Sequence, residues 1–193
     1  KQLGNGKLLS QLTKKNIVYN FRQNDIKNGG EGAPLTPIFH NLILKENKID
    51  VPSCVLNIGG ISNITIVRNY NTFLFSSKDI GPGNCLIDTW VRKNSNNKFD
   101  KDGEIASRGK CNEIILEQAQ ELFANRPNQK NLSFDINDFD VSFARGLSLE
   151  DGAATLTDFT AHIIGGALFS LSSNIKKKLF KVLISGGGRK NKY

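Results

Sequence analysis

The chain has 193 residues, is 38% hydrophobic and carries a formal charge of +8. That length supports one good core, or one complete lobe with part of another. No apolar run reaches the roughly 20 residues needed to span a bilayer and no secretory leader pattern opens the chain, so the expected compartment is the cytoplasm, with no membrane partner. The lysines are scattered over turns and helix faces in a chain also rich in Asn, Ile and Phe, a bias that AT-rich codons produce. The runs at Lys176, Lys177, Lys178 and Lys181, and at Arg189, Lys190 and Lys192, read as solvated faces. No aromatic-interleaved basic stripe accompanies them, so no nucleic acid is expected. Cys54, Cys85 and Cys111 are an odd number without a CxxC pair, which excludes a zinc or disulfide framework and suits a reducing compartment. Cys85 reads as a small buried hydrophobe. His40 and His162 lack metal-ligand spacing, and no protein metal site is expected.

In chain order, residues 7–13 predict a short helix, residues 17–21 a strand, and NGGEGAPLTP a Gly-rich loop bearing charged neighbours Arg22, Asp25 and Glu31. Residues 48–53 are polar, include Pro52, and read as a hinge or inter-lobe crossing. Three β-runs follow between Cys54 and Phe75, and then a helix over residues 85–93, with Leu86, Ile87, Trp90 and Val91 at helical spacing. Three antiparallel strands followed by a helix open a compact α/β lobe. FDKDGEIASRG resembles half of a calcium loop but lacks the later ligands. Residues 111–125 predict a helix with Ile114, Ile115, Leu116, Ala119, Leu122 and Phe123 on its apolar side. Residues 126–145 are polar with scattered Phe134, Phe139 and Phe143. A long, largely buried helix over 149–173 is followed by a buried strand over 180–184, which feeds Ser185-Gly186-Gly187-Gly188.

Chemistry concentrates between Val55 and Asp88. Gly59 and Gly60 interrupt a β-run, so their backbone can approach a ligand without a Cβ in the way and turn N–H groups toward a phosphate. Ser62, Asn63 and Thr65 add short polar groups where the next strand begins. Gly81-Pro82-Gly83-Asn84 stops the third strand and opens a helix carrying Asp88 in its first turns. Taken singly, each piece is an ordinary tight turn or a helix-start acid favoured by the macrodipole. Together they lay out a phosphoryl-transfer site. The triple glycine after the last strand adds a surface on which a base or ribose could lie.

NIGGISNIT, DIGPGNCLIDTW, FDKDGEIASRG, EDGAATLTDFTA and ISGGGRKN, in this order, resemble the anhydro-N-acetylmuramic acid kinase family. The upstream GNGKLL, NFRQNDIKNGG and EGAPLTPIFH support the resemblance, which covers almost the whole chain. It implies an α/β fold of the actin, hexokinase and Hsp70 superfamily, with residues 1–49 as the end of the first lobe and 50–193 as a second ribonuclease-H-like lobe, truncated after the adenosine motif. The implied activity is a cytoplasmic kinase of peptidoglycan recycling. It opens the 1,6-anhydro bridge of anhydro-N-acetylmuramic acid with water and phosphorylates O6 from ATP and Mg2+, giving N-acetylmuramate 6-phosphate.

By the same resemblance Asp88 matches the catalytic base, Asn57, Gly59, Gly60, Ser62 and Asn63 the phosphate hairpin, and Gly186, Gly187, Gly188 and Asn191 the adenosine motif. Arg22, Gly30, Glu31, Gly32, Pro34, Gly83 and Asn84 would face the sugar. Asn20 stands where the family has Asp, Glu31 where Gln is usual, and Ile136 where a basic residue is expected. The family's Gly-Thr-Ser-x-Asp-Gly hairpin does not occur in these residues, and the chain contains no Met. The expectation is therefore a fragment holding half of an ATP clamp, inactive alone, whose partners beyond sugar and ATP are a homodimer mate or a complementing fragment of the same enzyme. A non-catalytic remnant of a split or decaying gene is the alternative, with a basic nucleic-acid-binding module third.

Overall fold

The computed structural model describes residues 4–30, 32, 35–70, 74–126, 133–173 and 181–193. Its centre is a four-stranded sheet of order β3-β2-β1-β4, built from β1 (Ser53–Ile58), β2 (Ile61–Asn69), β3 (Leu74–Pro82) and β4 (Lys181–Ser185). β1, β2 and β3 form the expected antiparallel meander, and β4 returns parallel to β1 with Asn57 beside Ser185. Alternation along the strands gives the sheet two apolar faces. Cys54, Leu56, Ile64, Ile66 and Val182 meet the second half of the long helix α6 (Leu149–Ser173). On the opposite face Val55, Val67 and Leu183 pack around Leu44 of α3 (Pro37–Glu46).

A second core lies between α4 (Cys85–Asn94), α5 (Glu113–Ala124) and the first half of α6, with Leu86, Trp90, Val91, Ala119 and Leu156 buried in it. Gly152 lets α6 lie flat on the Trp90 ring, where a Cβ would overlap the indole, while Trp90 Nε1 donates to the Leu149 carbonyl at 2.9 Å. The Phe residues of the polar stretch 126–145 close this core. Phe123 meets Phe159 edge-on and stacks near Phe139, and the Arg126 guanidinium lies over Phe139.

Several expectations are corrected. Residues 17–21 form no strand. Asn20 takes a left-handed conformation (φ 64°) and Phe21 starts helix α2 (Phe21–Lys27), which follows α1 (Gly6–Thr13). The apolar alternation there has no strand to pair with among the described residues, and without a ladder it does not define a strand. β3 runs past the expected stop at Gly81 through Pro82. It lies on the sheet edge, where a missing N–H costs no ladder bond. α5 begins at Glu113 under an Asn112 cap, and its Ile114 and Leu122 are 70% and 66% exposed, so its apolar side is narrower than predicted. α6 is buried over Ala153–Thr160 but leaves Phe169 75% exposed. β4 is an edge strand among the described residues, where β1 alone pairs with it, and its Ile184 is 53% exposed. Among the described residues no helix is long and apolar enough to cross a membrane.

Candidate functional site

Three glycine-bearing segments converge on the end of β1. The turn after β1 is Gly59-Gly60, and its carbonyls are taken up by the start of α4. Asn84 N–H donates to Gly59 O (2.7 Å), while Gly83 N–H and Cys85 N–H donate to Gly60 O (2.8 and 3.1 Å). None of these turn bonds uses the N–H of Gly59 or Gly60. A Cβ on either glycine would meet nothing closer than 3.4 Å, so the tip is uncrowded. Gly83 is the reverse case: a Cβ there would lie 2.2 Å from Gly59 O. The chain after β4 approaches the same point. Gly186 has a φ of 87° and, like Gly188, sits against Ile58 with no room for a Cβ. Asn84 Nδ2 donates to Ile58 O at 3.3 Å, and a Cβ on Gly188 would lie 3.1 Å from Asn84 Oδ1. Asn57, Gly59, Gly60, Gly83, Asn84, Gly186 and Gly188 are thus one neighbourhood.

Asp88 stands one helical turn into α4, its N–H bonded to Asn84 O at 2.8 Å. Its half-buried carboxylate accepts no hydrogen bond among the described residues. Burial pushes its pKa above the ordinary aspartate value, with Arg92 opposing part of that shift. A partly desolvated carboxylate of raised basicity that accepts no hydrogen bond among the described residues is suited to take a proton from a neutral nucleophile.

Other predicted residues have different places. Ser62 is fully buried and donates to Pro82 O at 3.3 Å, so its side chain braces the turn from behind. Asn63 pairs with Asn57 across the hairpin, and Asn57 Oδ1 lies 3.4 Å from Ser185 Oγ. Asn191 caps the short turn Gly187–Lys190. Arg22 lies with Gly30 and Gly32 in a separate cluster: its Nε donates to Gly32 O (2.9 Å), and Asp25 accepts from Gly32 N–H (2.7 Å). No hydrogen bond among the described residues joins that cluster to the sheet. Glu31 and Pro34 lie outside the described residues, as do Lys176, Lys177 and Lys178.

Cys85 is buried and its thiol is pushed up by burial, which fits the structural reading. His40 is half-buried with its Nδ1 2.9 Å from Thr65 Oγ1, and His162 is exposed. Sequence reasoning missed Thr160, whose buried hydroxyl donates to Gly83 O at 3.2 Å and ties α6 to the start of α4. Three threonines, Thr155, Thr157 and Thr160, inside an apolar helical run were the available signal. Among the described residues no three His, Cys, Asp or Glu side chains are grouped to hold a metal ion.

The fold defines a mixed α/β protein in which three glycine-bearing segments meet at the end of β1. The family model described as anhydro-N-acetylmuramic acid kinase matches residues 1–193, and the chain belongs to that family, whose fold is the actin-like ATPase fold. Curated relatives named anhydro-N-acetylmuramic acid kinase agree. One from Pelagibacter ubique (strain HTCC1062) is 57% identical over 192 residues, covering 99% of this chain and 51% of the relative. One from Zymomonas mobilis subsp. mobilis is 39% identical, covering 98% of this chain and 50% of the relative, and one from Brucella anthropi is 38% identical, covering 99% and 50%. The chain spans about half the length of the curated relatives it matches.

Proposed function

We propose that these residues form half of the active site of an ATP-dependent sugar kinase that opens 1,6-anhydro-N-acetylmuramic acid with water and phosphorylates the freed O6, in the cytoplasm, during peptidoglycan recycling. The observation that carries the reading is the convergence of the Gly59-Gly60 tip, Gly83-Asn84 and the loop 186–188 at the end of β1, one helical turn before Asp88 on α4, in a chain of the kinase family. The arrangement suits ATP: the uncrowded glycine tip lets phosphate oxygens approach its backbone, and the glycine loop offers a surface without side chains for the nucleoside. Bound ATP supplies the phosphoryl group, with Mg2+ carried chiefly on its phosphates.

Asp88 then acts as general base. Its carboxylate takes a proton from the water attacking the anomeric carbon, that carbon's bond to O6 breaks, and O6 becomes the phosphoryl acceptor. Gly83 and Asn84 hold the start of α4, and with it Asp88, against the hairpin that would position the phosphates. The cluster of Arg22, Gly30 and Gly32, with Glu31 and Pro34, is assigned to the sugar, and residues 1–49 to the first lobe.

Incubating the full-length enzyme carrying this sequence with ATP, Mg2+ and the anhydro sugar should give a product heavier by one water and one phosphoryl group. Asp88→Asn should abolish it while leaving ATP affinity within about twofold. Undiminished turnover in that variant would remove Asp88 from the mechanism. The 193 residues alone should give no ATP-dependent product, because the family's other phosphate hairpin is not among them.

A further inference from the structure

The turn FDKDGEIASRG plays no part in the chemistry above, yet it is firmly built. Asp100 spends both carboxylate oxygens on backbone, accepting from Ile105 N–H (2.8 Å) and Ala106 N–H (3.0 Å), so it shapes the chain instead of holding a cation. Two consecutive left-handed residues follow, Asp102 (φ 55°) and Gly103 (φ 79°). They present the Asp102 carbonyl to Lys192 N–H at 3.0 Å and bring Gly103 so close to Asn191 that a Cβ would lie 2.1 Å from its Oδ1. Asn191 in turn folds the glycine loop on itself: its N–H donates to Gly188 O (3.0 Å), and its Oδ1 accepts from Tyr193 N–H (2.9 Å). The far end is held from α6, where Asp158 accepts a hydrogen bond from the Tyr193 hydroxyl at 3.2 Å. The loop 186–191 is therefore gripped on both sides, by Ile58 of β1 at Gly186 and Gly188, and by the 100–103 turn and Asp158 at Asn191 and Tyr193.

We propose that the 100–103 turn and Asp158 are positioning groups for nucleotide binding: they hold the glycine loop 186–191 in its receiving shape before ligand arrives. A triple glycine has more conformational freedom to lose on ordering than any other tripeptide, so a loop ordered in advance spares ATP that cost and binds it more tightly. The surroundings of Tyr193 agree with a made contact. Burial first, and then the nearby Asp158 carboxylate, push its phenol up to about 12.

This inference rests on the nucleotide-binding reading, and the test separates the two. Gly103→Ala, Tyr193→Phe, Asp158→Ala and Asp158→Asn are made in the full-length enzyme carrying this sequence. Amide hydrogen exchange is followed without ligand, and KM for ATP, KM for the sugar and kcat are measured. The expected result is exchange about tenfold faster across 186–193 in the first three variants, with β1 and β2 unchanged, and KM for ATP raised about tenfold with the other constants within about twofold. Asp158→Asn keeps an acceptor for the phenol and should restore both readouts. Unchanged exchange in folded Tyr193→Phe and Asp158→Ala overturns the clamp. So does a loosened loop with unchanged KM for ATP. A wild-type enzyme that binds no ATP refutes the nucleotide reading and overturns the proposed role with it, while the exchange comparison still shows whether the grip on the loop exists.

Discussion

Gly83→Ala and Gly166→Ala are the same chemical change at two glycines of this chain, and the structure gives them opposite signs. At Gly83 the new methyl would lie 2.2 Å from Gly59 O and 3.0 Å from Ser62 Oγ, where ordinary contact begins at 3.4 Å. The near atom is backbone, so the hairpin tip and α4 must part by about an ångström. That strains the bonds from Gly83 and Asn84 N–H, now 2.8 and 2.7 Å long. Overpacking costs about 1–3 kcal/mol, and two weakened hydrogen bonds add about 1 kcal/mol each. Stiffening of the unfolded chain returns about 0.4–1 kcal/mol. The net loss is about 3 kcal/mol. Gly166 lies inside α6 with nothing within 4 Å of an added Cβ, so Ala there gains about 0.4–1 kcal/mol. Urea denaturation followed by Trp90 fluorescence and far-ultraviolet dichroism reads both. At a slope of about 2 kcal/mol per molar, Gly83→Ala should lower the midpoint by about 1.5 M and Gly166→Ala should raise it slightly. A Gly83→Ala loss under about 1 kcal/mol would refute the contact argument on which the convergence of hairpin and helix depends.

Three more predictions follow from individual groups. Because burial raises the Asp88 pKa, its charge opposes folding above the folded-state pKa and ceases to do so once pH falls below the unfolded value. Asp88→Asn should therefore lose turnover while melting no lower than wild type at pH 7, and a clear drop in melting temperature would contradict the desolvated carboxylate. Burial lowers the pKa of His40 from 6.5, so the folded state favours the neutral ring and stability should fall as pH drops below about 6.5. Equilibrium unfolding between pH 7.5 and 5 should show a component that disappears in His40→Gln. Asn41 is 2% exposed on α3 with its Oδ1 unpartnered among the described residues, so Asn41→Leu, which keeps the branched side-chain skeleton and removes the orphaned carbonyl, should stabilise the fold by about 1 kcal/mol. A destabilised variant would mean that the amide has a partner.

Several features were legible from residue order alone because their causes are local. Gly-Gly between two β-runs makes a hairpin wherever it lies, and Gly-Pro-Gly-Asn before Leu86, Ile87, Trp90 and Val91 starts a helix. The meander, α4, α6 and the glycine loop were placed by such signals, and motif order pointed to the kinase family. The predicted strand at 17–21 failed for a complementary reason. A strand exists through its partner, and no periodicity in Ile17, Tyr19 and Phe21 could say whether a ladder was within reach.

Tertiary structure decided how the pieces meet. Only the fold shows that the N–H groups of Gly83, Asn84 and Cys85, at and just before the start of α4, are used on the Gly59 and Gly60 carbonyls. Ser62, a phosphate ligand by its place in the motif, has its side chain turned inward because the register puts it opposite Ile58 and against Pro82. FDKDGEIASRG looked like a fragment of a cation loop because its carboxylates are visible in sequence, whereas the amides that occupy Asp100 and the loop that rests on Gly103 become neighbours only after folding. By itself the sequence determined where the chain turns and which stretches carry the family's motifs, since those depend on neighbours in the chain. Which carbonyls the start of α4 takes up, which carboxylate is desolvated and what holds the glycine loop depend on groups from separate parts of the chain, and packing alone brings them together.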